Sequence, residues 1–171
     1  MNEQLNLRKP HLRIAVTSAC NFNCEYCRDG GEGILSDNDM SLSQFKVIGE
    51  LAKMVGFSHV KITGGEPLLR EEIHGDVIPL ISYLKSDLGY EDVQLVTNGF
   101  FLKKYAADLA KSGLDSLTVS LDAASQEEFA KITKVDAFDQ VIEGVKMAKA
   151  NGLEVVFNCV FYKRNLECIV S

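Results

Sequence analysis

Leu12-Arg-Ile-Ala-Val-Thr17 runs straight into Ser18-Ala-Cys-Asn-Phe-Asn-Cys-Glu-Tyr-Cys-Arg28, so a short apolar run meets a loop with three cysteines. Cys20, Cys24 and Cys27 stand in a C-x3-C-x2-C spacing at the end of an expected strand. Three thiolates close together can hold three irons of a [4Fe-4S] cluster and leave the fourth without a protein ligand. An open coordination position separates a catalytic metal site from a closed structural one. Three alternatives compete with that reading. Positions i, i+4 and i+7 share one face of a helix, where the cysteines would be buried core residues. Asn21, Asn23, Gly30, Gly31 and Gly33 favour turns instead. A zinc site normally draws four ligands from two pairs, and neither a second pair nor a nearby histidine follows. A disulfide framework meets an odd count, five cysteines, and no secretory signal. The cluster is the favoured reading of the spacing.

Working outward, a chain of 171 residues that is 46% hydrophobic is long enough for one sizeable core. No apolar run reaches the length of a membrane span, and Met1 to Pro10 is polar, so no membrane association is expected. A net charge of -6 gives no electrostatic footprint for nucleic acid. It does not exclude a small anionic substrate held by local cations. Free cysteines without a signal peptide fit a reducing, cytoplasmic compartment.

Apolar runs alternate with amphipathic stretches along the chain. Strands are expected at Leu12 to Thr17, His59 to Thr63, Val93 to Thr97, Leu117 to Leu121 and Leu153 to Phe161. Ser41-Leu-Ser-Gln44 reads as a capping box ahead of Phe45, Ile48, Ala52 and Val55 at helical spacing. Asp76 reads as the cap of a helix through Leu84, with Pro79 tolerated in its first turn. Leu102, Tyr105, Ala106 and Leu109 form another stripe, Ser125-Gln-Glu-Glu128 a second capping box, and Phe138 to Lys149 a longer helix. This alternation predicts a parallel α/β sheet in one domain, residues 1–171.

The unusual clusters all fall at C-terminal strand ends: the cysteines, Gly64-Gly65-Glu66-Pro67, Thr97-Asn98-Gly99 and Ser120-Leu121-Asp122. In barrel-like α/β folds that rim carries ligands and chemistry. Each cluster alone is weak, since Asn-Gly is an ordinary turn and Ser or Asp an ordinary cap. Gly64-Gly65 can be a turn, or can let a ligand approach bare backbone. Four such clusters on successive strands point to a site.

On these residues, with Leu12 to Thr17, Ile62 to Arg70 and Val119 to Asp122, the chain resembles the radical S-adenosylmethionine superfamily over nearly its whole length. Within it, the chain is most similar to the molybdenum-cofactor GTP 3′,8-cyclase family. The resemblance implies a partial (β/α)6-type barrel of parallel strands with outer helices, of which about five βα units are present. It implies a lyase-type radical enzyme whose cofactors are a [4Fe-4S] cluster and S-adenosylmethionine. Cys20, Cys24 and Cys27 would bind the cluster. One-electron reduction would release a 5′-deoxyadenosyl radical that abstracts a substrate hydrogen. Gly64, Gly65 and Glu66 would hold the methionine ammonium, and Ser120 would contact polar groups of the cofactor. Tyr26 would lie against it through its backbone, or else simply fill space under the loop. Asn98 is a further contact.

For the substrate, GTP or another small molecule, the resemblance points to Arg13 and Lys61, whose alternative reading is rim solubility. Lysine at 61 keeps a charge but loses the bidentate fork of the family's basic residue. Val96 stands where the family has a threonine, Val156 where it has a lysine, and Arg28-Asp-Gly-Gly-Glu-Gly33 replaces an apolar residue and a proline. A reductant such as flavodoxin or ferredoxin is the expected protein partner, and a homo-oligomer stays open. Five strands and no second cysteine triplet make residues 1–171 an expected core domain incomplete at its C-terminus. Cys159 and Cys168 read as small core residues. A peptide-modifying relative and a non-catalytic remnant that binds the cluster are the alternative functions.

Overall fold

The computed structural model describes residues 11–27, 39–161 and 165. Met1 to Pro10, the Arg28–Gly33 segment and Cys168 lie outside them. In chain order the elements are β1 (His11–Ala15), α1 (Leu42–Met54), β2 (His59–Thr63), α2 (Pro67–His74) and α3 (Val77–Ser82). A π-helical turn (Tyr83–Asp87), β3 (Asp92–Thr97), α4 (Leu102–Lys111), β4 (Ser116–Ser120), α5 (Gln126–Thr133), α6 (Phe138–Ala150) and β5 (Glu154–Asn158) follow. The five strands form one parallel sheet in sequence order, the α/β class expected.

A parallel sheet covered on both faces has strands that are apolar throughout. Here β2, β3 and β4 alternate instead. Val60, Ile62, Val93, Leu95, Leu117 and Val119 are buried, while the residues between them are only half-buried. The buried face packs on the helices through Leu80, Leu84, Leu102 and Leu109, each fully enclosed. Each such side chain contributes about 1.5–3 kcal/mol. The other face is open and polar. Arg13, Lys61, Gln94, Ser116 and Glu154 form one row across it, and Val96, Thr118 and Val156 another.

Local chemistry sets the ends of the elements. Ser41 and Gln44 form both halves of the expected capping box. Ser125 supplies its half by accepting from Glu128 N. Asp76 does not cap α3 as expected, because its carboxylate is taken by Arg70. Glu71 replaces it, with Oε2 accepting from Val77 N at 2.7 Å and Ile78 N at 2.9 Å. Helix α2 was not anticipated. Glu66 caps it, Pro67 opens it, and Gly75 in the left-handed region closes it, which is the expected proline–glycine asymmetry. β1 ends at Ala15, short of Thr17, and β5 at Asn158, short of Phe161. Past β1, Val16 N still bonds to Thr63 O at the end of β2, whereas past β5 Val160 N turns to the Asp122 carboxylate. No helix among the described residues is long and apolar enough to cross a membrane.

Candidate functional site

The cysteine loop leaves β1 and is fastened along its whole length. Val16 N donates to Thr63 O at 2.9 Å, Gly65 N to Thr17 O at 2.7 Å and Glu66 N to Ala19 O at 2.7 Å. The Gly64–Glu66 backbone thus lies directly against Thr17–Ala19. A Cβ on Gly65 would stand 2.1 Å from Ala19 O, and one on Gly64 2.4 Å from Thr17 O. Gly64 also has φ +146. The two glycines are required by this close approach of chain to chain.

Arg70, 3% exposed, reaches under the loop. Its guanidinium donates to Val16 O and Met40 O, both at 2.8 Å, and pairs with Asp76 at 2.5 Å. Thr17 Oγ1 donates to Asp39 at 3.0 Å and accepts from Ala19 N at 3.1 Å. Further along, Phe22 is buried with its ring edge-on to Phe100 and Phe129. Asn23 N and Glu25 N donate to Thr133 O and Ile132 O at the end of α5, each at 3.0 Å. Cys27 N closes a turn on Cys24 O at 2.9 Å. The Tyr26 hydroxyl donates to the Asp122 carboxylate.

Cys20 and Cys27 open into a cavity of about 450 Å³ shared with Arg13, Thr63, Gly64 and Gly65. Thr17, Ser18 and Ala15 complete its lining. A larger concavity of about 570 Å³ between α4 and α6 is floored by Phe100 and Phe101 and rimmed by Lys103, Lys104 and Glu143. It contains no thiol, so volume alone is a poor guide to the chemistry here.

Cys20 Sγ receives Phe22 N at 3.4 Å and Asn98 Nδ2 at 3.8 Å. Burial pushes the Cys20 thiol up, and that of Cys24 up to about 11. Neighbouring negative charge adds to the rise, from Glu66 and Cys27 at Cys20 and from Cys20, Asp122 and Cys27 at Cys24. The Cys20 and Cys24 thiolates are therefore disfavoured until a cation supplies compensating charge, so metal uptake there would release protons. Among the described residues no three Cys, His, Asp or Glu side chains converge on one point. The thiols share a loop without forming a closed cage.

The structure separates the residues that the sequence grouped together. Arg13, Cys20, Cys27, Gly64 and Gly65 line the cavity, while Cys24 and Tyr26 do not. Lys61 pairs in register with Arg13 on the open face, and Ser120 ends β4 opposite Asn158. The Asn98 side chain serves the loop, donating to Asn21 Oδ1 at 2.8 Å. The Glu66 side chain is fully buried away from the cavity. Its carboxylate accepts from Leu68 N at 2.9 Å, Thr97 Oγ1 at 2.6 Å and Asn98 N at 2.6 Å, and burial pushes it up to about 7. Arg70, Asp39 and Asp122 went unassigned in the sequence. Arg70 and Asp122 lie inside the quoted motifs, but nothing in spacing marks them as inward-facing.

Comparisons with known proteins give a consistent result. The sequence family described as the Radical SAM superfamily matches residues 14–171. A probable GTP 3',8-cyclase of Saccharolobus solfataricus is 47% identical over 161 residues, 91% of this chain and 49% of that protein. One from Metallosphaera sedula is 38% identical over 157 residues, 91% of this chain and 48% of that protein. The chain thus spans about half the length of the curated relatives it matches. Among solved structures, Streptococcus suis SuiB bound to S-adenosylmethionine has a TM-score of 0.73 at 25% identity, covering 94% of this chain and 34% of SuiB. Methylornithine synthase has a TM-score of 0.70 at 19% identity, covering 86% of this chain and 43% of the synthase.

Proposed function

This chain belongs to the radical SAM superfamily, and on that premise we propose that it binds a [4Fe-4S] cluster and S-adenosylmethionine for radical chemistry on a small substrate. The observation that carries this is the opening of Cys20 and Cys27 into the same cavity as Gly64 and Gly65. The donor set fits a cluster: three thiols on one fastened loop, in an anionic setting that favours a cationic guest. When bound, the cluster supplies the electron that splits S-adenosylmethionine to methionine and a 5′-deoxyadenosyl radical, which takes a hydrogen atom from the substrate.

Cys20, Cys24 and Cys27 are the iron ligands in this proposal. An ammonium group only donates, so it is met by backbone carbonyls of Gly64 and Gly65, while the amides of Gly65 and Glu66 are engaged with the loop. The buried Glu66 carboxylate acts by shaping that backbone. Ser120 and the Tyr26 backbone contact the cofactor, and Asn98 supports it from beside Cys20. Arg13 and Lys61, neighbours across β1 and β2, attract an anionic substrate.

The finer proposal is GTP 3′,8-cyclisation in molybdenum cofactor biosynthesis. It is supported by the names of the relatives and by the Arg13–Lys61 pair. A cytoplasmic setting and a flavodoxin or ferredoxin as reductant belong to it. A second reading, a relative acting on a peptide or another less anionic substrate, is favoured by Val96 and Val156. These fall in one row of the open face with Thr118 between them, an apolar step unsuited to phosphate.

The test is anaerobic reconstitution with iron and sulfide, then chromatographic detection of 5′-deoxyadenosine after adding S-adenosylmethionine and dithionite. Product well above a variant with Cys20, Cys24 and Cys27 all replaced by Ala is the expected result. A full cluster with no product would refute catalysis by this chain. Adding GTP and looking for a cyclised nucleotide separates the two substrate readings.

A further inference from the structure

Helix α1 is apolar on two sides. Phe45, Gly49 and Ala52 turn inward and are buried. Val47, Leu51, Met54 and Val55 recur at i, i+4, i+7 and i+8 on the other side, and are 49%, 57%, 81% and 74% exposed. That spacing draws one stripe along a helix, and Met40, just before the N-cap, extends it. A helix apolar on both sides belongs in an interior rather than at a surface.

The charged side chains of α1 leave the stripe bare. Lysine stems often cover apolar surface while their heads stay in water. Here Lys46 lies over the Tyr83 ring at 4.4 Å, Lys53 donates to Gly89 O at 2.6 Å, and Glu50 accepts from the Tyr83 hydroxyl. All three lean towards the π-helical turn and the residues after it, and no charged residue lies within the stripe.

The two ends of the stripe differ in shape. The N-terminal end is a hollow of about 360 Å³ lined by Met40, Ser43, Gln44, Val47 and Ile48. The C-terminal end is a knob, formed by the far more exposed Met54 and Val55. A two-fold axis crossing the stripe between Val47 and Leu51 lays two copies of α1 antiparallel. It sends each knob to the other copy's hollow, the self-complementarity that a closed dimer requires. The five apolar residues expose roughly 600 Å² per copy, so closure buries roughly 1,200 Å² in all, the lower edge of stable interfaces. The edge strand β5 offers no such stripe, because its exposed Val156 and Phe157 point to opposite faces of the sheet.

We propose that this chain forms a two-fold homodimer through the outer face of α1, with Met54 of each copy seated in the Met40–Val47 hollow of the other. Neither cluster nor cofactor takes part in this contact.

The experiment is sedimentation velocity over about 1–100 μM on wild type, Leu51→Lys, Met54→Lys and Phe157→Lys, with a wild-type dimer expected to form in the micromolar range. Leu51→Lys and Met54→Lys should each weaken the dimer by about thirtyfold or more, as buried interface anchors do, and Phe157→Lys should not. Urea unfolding at a concentration where all are monomers is expected to match wild type, which separates lost association from lost folding. Adding Gln44→Glu to Met54→Lys should restore association, because in an antiparallel pair each new charge meets its opposite on the other copy. A double variant that dissociates as readily as Met54→Lys alone would overturn the antiparallel seating. A chain monomeric at every concentration would mean that some other partner covers the face, and would overturn the dimer. A dimer indifferent to both α1 variants, or lost with Phe157→Lys instead, would place the interface elsewhere and overturn it too.

Discussion

Glu66 sets two physical effects against each other in a way that pH can separate. Full burial, with no cationic partner among the described residues, disfavours its charge, whereas three donors, Leu68 N, Thr97 Oγ1 and Asn98 N, favour it. Burial wins, and the carboxyl rises from the ordinary 4.5 to about 7. The sign is the reverse of the usual carboxylate case. Between those values the folded state binds more protons than the unfolded chain, so stability falls as pH rises through that window. At 1.36 kcal/mol per pH unit the full loss is ~3 kcal/mol, complete above pH 7. The assay is urea unfolding of wild type and Glu66→Gln at pH 5, 6, 7 and 8. The variant is less stable at pH 5, since glutamine has one acceptor oxygen for three donors and leaves a buried N–H facing its amide. Wild type is expected to lose its advantage by ~3 kcal/mol towards pH 8. Parallel pH profiles in the two proteins would refute the argument. A wild type that gains on the variant with rising pH would mean that the three hydrogen bonds outweigh burial.

Gly65→Ala drives a methyl against Ala19 O at 2.1 Å, far inside the ordinary contact of 3.4 Å. It should cost about 1–3 kcal/mol and reduce iron loading of the chain towards that of the triple-cysteine variant; iron analysis checks this. Arg70→Ala strips Val16 O, Met40 O and Asp76 of their partner, a loss of about 3–5 kcal/mol measurable by urea unfolding. If the substrate is GTP, Arg13→Ala should weaken its binding by calorimetry about tenfold or more, the worth of a charge-assisted hydrogen bond of ~1.5–3 kcal/mol. Unchanged affinity would favour the less anionic substrate.

Much of the fold was legible because its signals are local. The Ser41–Gln44 capping box and the glycines after α1, α4 and α6 (Gly56, Gly113 and Gly152) act over a few residues, and five strands were found near their places. The direction of side chains at the rim was harder. Glu66 was legible in hindsight, since it stays in phase with the buried Val60 and Ile62, and period-2 alternation carried past β2 turns it inward. Asp122 is not in phase with Leu117 and Val119, yet it is buried as deeply. Its burial depends on Val160 and Asn165, partners distant in sequence that no local pattern announces. Helix α2 was missed because its apolar face is short, although Pro67 and Gly75 mark both ends.

The double glycine shows why a motif can be found correctly and still be explained too narrowly. The pair reads in sequence as a turn or as bare backbone open to a ligand, and the nearest atoms to both missing Cβ positions are those of Val16 to Ala19. The amides that a ligand would have approached already bond Thr17 and Ala19. The requirement for glycine is therefore first structural. It lets the end of β2 lie along the cysteine loop closely enough for Arg70 to tie the loop's base and for Glu66 to bridge α2 and β3. Gly64 and Gly65 line the cavity together with Thr17, Ser18, Cys20 and Cys27. Substitutions at Gly64 or Gly65 should therefore act on cluster loading before they act on cofactor affinity, an order that separates loop packing from ligand contact.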